Sequence, residues 1–178
     1  GWFISCPLTP GMMMSMPEDK VMNKIIDAAK LAQDLGAKIV GLGAFTAVVG
    51  DAGITVSQNV DIAVTTGNSY TVATAIEGTL KAAGLMGIDM DAAEVLVLGA
   101  TGSIGRVLAL ILAHRGCNLT LAARNVARLE RVSSQITKET GIVPRITSDV
   151  KQAVRSADVI VCVSSALDAL IEPEDLKP

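Results

Sequence analysis

The stretch Val95-Leu96-Val97-Leu98-Gly99-Ala100-Thr101-Gly102-Ser103-Ile104-Gly105 constrains the fold of this chain more than any other. Four apolar residues, a turn punctuated by three glycines and an apolar pattern of helical period read as strand, turn and helix. In a βαβ unit of this kind the first glycine permits a tight turn and the second lets a pyrophosphate approach the backbone. The third lets helix pack on strand. The helix opening near Ser103 aims its free amides and the positive end of its dipole at that position. Glycine spacing alone is a weak signal. With both flanks in place it marks a dinucleotide-binding turn, whose expected contacts are Gly99, Ala100, Thr101, Gly102, Ser103, Ile104 and Gly105. The competing reading is a glycine turn kept for packing alone.

The next strand selects the nucleotide. Ser103 to Arg115 reads as a helix closed by Gly116, and Leu119-Thr120-Leu121-Ala122-Ala123 as the second strand. An NAD site offers a carboxylate about 20 residues past the glycines, to bind the ribose 2′-hydroxyl. No acid occurs between Gly105 and Glu130, and Arg124 stands where the carboxylate would, with Arg128 one helical turn on. A carboxylate repels a 2′-phosphate, whereas a guanidinium binds it bidentately. The expected cofactor is therefore NADP(H), held in addition by Ala123, Arg124, Asn125 and Arg128. The alternative is a solvated loop charge at Arg124.

Composition agrees with a buried parallel sheet under helices. Half of the 178 residues are hydrophobic, yet only one Trp, one Tyr and two Phe are aromatic. Strands of such sheets read as continuous aliphatic runs. A net charge of −3 argues against nucleic-acid and anionic-membrane partners. No apolar stretch reaches the roughly 18 residues of a membrane span. Cys6, Cys117 and Cys162 show neither pairing nor metal-ligand spacing, so no metal is expected, and the odd count with no signal peptide suits a reducing cytoplasm. About four strands after residue 94, where such a fold carries six, make the chain read as a fragment.

The fold class expected is α/β: a Rossmann-type doubly wound parallel sheet preceded by a smaller α/β substrate subdomain. The boundaries are 1–68 for that subdomain, 69–90 for a connecting helix, and 91–178 for the nucleotide domain.

In chain order, Phe3-Ile4-Ser5 suggests a short strand and Pro7 to Pro17 a methionine-rich loop. Pro17-Glu18-Asp19 opens a helix closed by Gly36. Lys38 to Leu42 is a strand, and Ile54–Ser57 and Ile62–Val64 read as short strands. Asn68 or Ser69 caps a long apolar helix from Val72 to Leu85. A helix over 125–140 comes after the second strand. Pro144 puts the third strand, 142–146, at a sheet edge. Asp158 to Val163 is the fourth strand. Ligands of open α/β sheets bind at the carboxyl ends of strands, at the switch point between the first and fourth. That places Val163, Ser164 and Ser165 near the nicotinamide ribose.

Three stretches together resemble one family. Gly41-Leu42-Gly43-Ala44-Phe45-Thr46, Thr65-Thr66-Gly67-Asn68-Ser69-Tyr70-Thr71 and the glycine turn with Ala123-Arg124-Asn125 are similar to cyanobacterial-type long-chain acyl-[acyl-carrier-protein] reductases, as is Ser5-Cys6-Pro7-Leu8. The resemblance implies reduction of a fatty acyl thioester to an aldehyde by NADPH. It also implies an acyl site at Gly43, Phe45, Thr46, Thr66, Gly67, Asn68 and Ser69, and a small-molecule or carrier-bound acyl partner. Two departures stand out. The family's nucleophilic cysteine lies further along the chain than Pro178, and Tyr70 replaces a histidine.

No catalytic residue is assigned. Among the cysteines, only Cys6 lies near the candidate acyl segments, and it has no visible base. Cys117 precedes the second strand, and Cys162 reads as a small buried hydrophobe. His114 at a helix C-terminus is explained by the dipole. A shikimate- or amino-acid-dehydrogenase-like reductase of a small carbonyl is the alternative enzyme, and needs a Lys–Asp pair that Lys20, Lys24 and Lys30 do not supply. A non-catalytic NADP-binding module is the alternative outside enzymes. A homo-oligomer covering an exposed sheet edge is expected in either case.

Overall fold

The computed structural model describes all residues except 165, 167, 168, 177 and 178. It divides the chain into two compact units, Gly1–Gly67 and Asn68–Pro178.

The first unit is built on three helices and a two-stranded sheet. Helix α1 (Pro10–Ser15) starts where Thr9 Oγ1 accepts from the Met12 amide at 3.3 Å, with proline at the first helical position. Helix α2 (Glu18–Asp34) has acids in its first turn and buries Val21, Met22, Ile25, Ile26, Ala29 and Ala32 along one stripe. Strand β1 (Ile39–Leu42) pairs in parallel with β2 (Ala63–Thr66), and Leu42 stands opposite Thr66 at their carboxyl ends. Between them lies the short helix α3 (Ile54–Ser57). Val21, Ile25, Leu42 and Val56 form the core of this unit together with Met13.

Three sequence expectations are corrected here. Phe3-Ile4-Ser5 is not a strand, because no strand pairs with it among the described residues. The loop expected over 7–17 contains α1, whose start signal, threonine before proline, outweighs the glycine and the proline that bracket the methionines. Ile54–Ser57 is helical despite its β-branched residues. Gly53 turns the chain at φ 92°, and the Asp51 carboxylate accepts from Thr55 N at 3.0 Å and Thr55 Oγ1 at 2.6 Å. Local capping wins over propensity at this turn.

The second unit opens with α4 (Asn68–Leu85), four residues earlier than its apolar pattern suggests. After it come β3 (Glu94–Leu98), α5 (Ser103–His114), β4 (Asn118–Ala122), α6 (Val126–Thr140), β5 (Arg145–Thr147), α7 (Val150–Ser156) and β6 (Val159–Cys162). All strands are parallel in the order β5-β4-β3-β6, so the third strand lies at the edge as expected. The strand is shorter and later than the 142–146 expected, and Pro144, expected within it, stands just before it, where its missing amide removes no ladder bond.

Strand alternation sorts the side chains onto two faces. Val95, Val97, Leu119, Leu121 and Val161 join α4, α5 and α6 in one core, built on Val72, Ile76, Leu108, Leu112, Leu129 and Ile136. Leu96, Leu98 and Ala122 turn the other way, onto Ala153 and Val154 of α7. Crossovers are right-handed, so reversing the direction of strand addition after β5 moves the next helix to the opposite face. That makes the sheet doubly wound. Its amino ends are tied by polar groups: Glu94 accepts from Thr120 and pairs with Arg145, while the Glu94 amide donates to Asp158 Oδ2 at 2.9 Å. Among the described residues no helix is long and apolar enough to cross a membrane.

Candidate functional site

The carboxyl ends of β3 and β6 meet at the switch point of the sheet. Val163 N donates to Leu98 O at 2.9 Å, and Gly99 N donates to Ala122 O at 2.8 Å. The turn after β3 is thus held against both neighbours. Gly99 adopts φ 89°, and a Cβ there would stand 2.9 Å from Val163 O and 3.0 Å from Ser164 N. The structure therefore brings the turn Gly99–Gly105 together with Val163 and Ser164. Ser165 lies outside the described residues.

Within the turn the residues divide by exposure. Ala100 and Gly105 are buried beneath it, Thr101 and Ile104 are half-buried, and Gly102 and Ser103 are exposed. Gly102 occupies the N-cap of α5 and has no side chain to cap with. By contrast Asn125 caps α6 through the Arg128 amide at 3.0 Å, and Asp149 caps α7 through the Gln152 amide at 3.0 Å. A Cβ at Gly102 would meet only Gly99 O, at 3.4 Å. No side chain of Gly102 stands in front of the α5 amides.

Arg124 lies two residues past β4, and β4 ends on the carbonyl that accepts from Gly99. Both Arg124 and Arg128 are exposed, and neither is in an ion pair among the described residues. Half-buried Ala123 donates its amide to Thr147 O at 3.4 Å, and Asn125 spends its side-chain oxygen on the α6 cap. Of the four residues expected around the 2′-phosphate, the two arginines have free charged groups to offer.

The residues expected at an acyl site fall in both units. Gly43 and Gly67 come directly after the paired carboxyl ends of β1 and β2. Thr46 donates its hydroxyl to Gly43 O at 2.7 Å, closing the turn that contains Phe45. Thr66 is the last residue of β2. A groove of about 850 Å³ lies in this first unit, its walls including Ile25, Ala29, Ala32, Gly43, Phe45 and Thr46. Asn68 and Ser69 belong to the second unit as the first residues of α4. Asn68 Nδ2 donates to Ser103 Oγ at 3.2 Å, a contact across 35 residues that no sequence pattern announces.

The cysteines differ in environment. Cys6 is half-buried in the wall of the groove, and burial pushes its thiol up against a smaller lowering by Lys24. That is opposite to the environment that activates a nucleophile. Cys117 is buried and raised by burial, then by Asp91. Cys162 is exposed, contrary to its reading as a buried hydrophobe, because its side chain ends β6 on a sheet edge. Raised thiols stay protonated at neutral pH, and the thiolate alkylates. In a timed iodoacetamide reaction read by peptide mass spectrometry, Cys162 is expected to react first and Cys117 last. Modification of Cys6 is expected to accelerate only at alkaline pH. Fast neutral-pH labelling of Cys6 would contradict this order.

The family model for shikimate / quinate 5-dehydrogenase matches residues 81–178, more than half of the chain. The chain belongs to that family. This family member is also 30% identical over 194 residues to the long-chain acyl-[acyl-carrier-protein] reductase of Synechococcus elongatus, covering 99% of this chain and 53% of that protein. The resemblance carried by the three motifs thus extends along the whole sequence. A match at 26% identity over 159 residues joins 89% of the chain to 18% of the aminotransferase PigE of Serratia. The chain spans about half the length of the first relative and less than a fifth of the second. Among solved structures, a short-chain dehydrogenase of Escherichia coli complexed with NADPH aligns at 26% identity and a TM-score of 0.38, covering 49% of this chain and 43% of that one.

Proposed function

We propose that this chain is the cofactor-binding part of an NADPH-dependent oxidoreductase that reduces a fatty acyl thioester to an aldehyde. The observation that carries the cofactor is the pairing of an uncapped, glycine-fronted helix with a free arginine at the end of the adjacent strand. The residues present fit NADP(H). The amides of Ser103 and Ile104, at the positive end of α5, would hold the pyrophosphate where Gly102 leaves space. Arg124, with Arg128 behind it, would pair with the 2′-phosphate. Val163 and Ser164 would flank the nicotinamide ribose. When bound, the dinucleotide supplies the hydride.

The acyl substrate is supported by the identity to the acyl-carrier-protein reductase across nearly the whole chain. The groove of the first unit, lined mostly by apolar residues with alanines on one wall, suits an aliphatic chain. Cofactor binding and the acyl groove are the roles this reading gives the chain. The nucleophile is not assigned to Cys6, Cys117 or Cys162.

The test is an assay of the protein at its natural length with NADPH and a long-chain acyl-CoA or acyl-carrier-protein thioester. NADPH oxidation with release of the matching aldehyde, seen by gas chromatography, is the expected result. Oxidation driven by a small cyclic ketone and not by the thioester would instead support reduction of a small carbonyl, which the family model favours.

A further inference from the structure

The Asn68–Ser103 bond joins the first residue of α4 to the first residue of α5, two helices that pack on each other. Its direction matters. A serine oxygen that accepts from an amide keeps its own proton for another acceptor, and being an acceptor strengthens it as a donor. Ser103 is exposed at the uncapped end of α5, so its hydroxyl is placed beside the amides that face the anion position. Asn68 is half-buried, on an element outside the glycine turn.

We propose that Asn68 is a positioning residue of the cofactor site: it holds the Ser103 hydroxyl as a donor toward the dinucleotide pyrophosphate. This role, which rests on the NADP(H) reading above, replaces the acyl contact implied by family resemblance. It also explains why an amide suits this position. An aspartate there accepts the serine proton, turning the hydroxyl away from the phosphate and adding a negative charge near it.

The experiment is a double-mutant cycle on NADPH affinity, read by nicotinamide fluorescence, with thermal melts of each ligand-free variant. Asn68→Ala and Ser103→Ala are each expected to weaken NADPH binding about fivefold to tenfold, the loss of one hydrogen bond to a charged group. Asn68→Ala made in the Ser103→Ala background is expected to cause no further loss, because Asn68 acts through that hydroxyl. Asn68→Asp is expected to weaken binding more than Asn68→Ala does, by at least about tenfold. The proposal is overturned if Asn68→Ala leaves affinity unchanged, or if its effect is as large without Ser103 as with it. Absence of NADPH binding by the unmodified chain would overturn the cofactor reading itself, and this role with it.

Discussion

Replacing Gly105 by alanine is expected to destabilise the second unit by about 3 kcal/mol or more, whereas Gly102→Ala is expected to leave it folded and remove NADPH binding. The two glycines belong to one motif but are required by different things. A Cβ at Gly105 would collide with Gly99 O and stand 3.0 Å from Ala100 Cα, and both are backbone atoms that cannot rotate away. Gly99 is constrained in the same way, at φ 89° and against Val163 O. Neither position says anything about a ligand, since the fold alone demands both glycines. Gly102 is different. Its φ of −76° and ψ of 166° suit any residue, and the nearest atom to an added Cβ is 3.4 Å away. Alanine should therefore fold there, at a cost of at most about 1 kcal/mol because it is a poorer N-cap residue than glycine. Its methyl group, however, enters the space in front of the α5 amides that a pyrophosphate must occupy. A loss of roughly a hundredfold in NADPH affinity is expected, near 2.7 kcal/mol. Thermal melts and NADPH titrations of the three proteins separate the two effects. Normal NADPH binding by Gly102→Ala would mean that the pyrophosphate does not lie against Gly102.

The second large effect is on cofactor choice. Arg124→Asp is expected to reverse the preference for NADPH over NADH. The guanidinium is exposed and in no ion pair among the described residues, so its removal breaks little in the fold. A bidentate charge-assisted contact is lost and a like-charge repulsion takes its place, and the two together lower NADPH affinity by about a hundredfold. NADH, which presents a ribose hydroxyl to the new carboxylate, should bind the variant at least as well as it binds the unmodified chain. Because screening weakens exposed charge contacts, the NADPH preference should also shrink as salt is raised. Competition titrations at two ionic strengths check both statements. An unchanged NADPH/NADH ratio in the variant would assign Arg124 to the solvent.

The second unit was legible because its determinants are local and periodic. Leu96 and Leu98 alternate with Val95 and Val97 in four apolar residues, which only a strand buried on both faces makes sense of. The glycine turn commits residues 103–114 to a helix packed back on that strand, and Pro144 beside Arg145 marks the edge. The first unit was less legible because its short elements depend on capping and on contacts distant in sequence. Ile54-Thr55-Val56 has the composition of a strand, and the turn at Gly53 with the Asp51 carboxylate bonded to Thr55 makes it a helix. Thr9-Pro10 is a helix start that the loop expectation over 7–17 passed over, because the three methionines behind it carry no helical stripe and only Met13 is buried. In the proposed cofactor site, the turn and Arg124 are the candidates that spacing alone could offer. Asn68 is not among them, since its partner Ser103 is fixed by the packing of α4 on α5 and by nothing in its own neighbourhood of the sequence.

Calorimetric titration of the unmodified chain with NADPH and with NADH tests the cofactor site most directly. Saturable one-to-one binding of NADPH, at least about tenfold tighter than NADH, is the expected result. Absence of heat with either nucleotide in a chain that melts cooperatively would contradict it, and would reduce the glycine turn to a packing feature of the sheet.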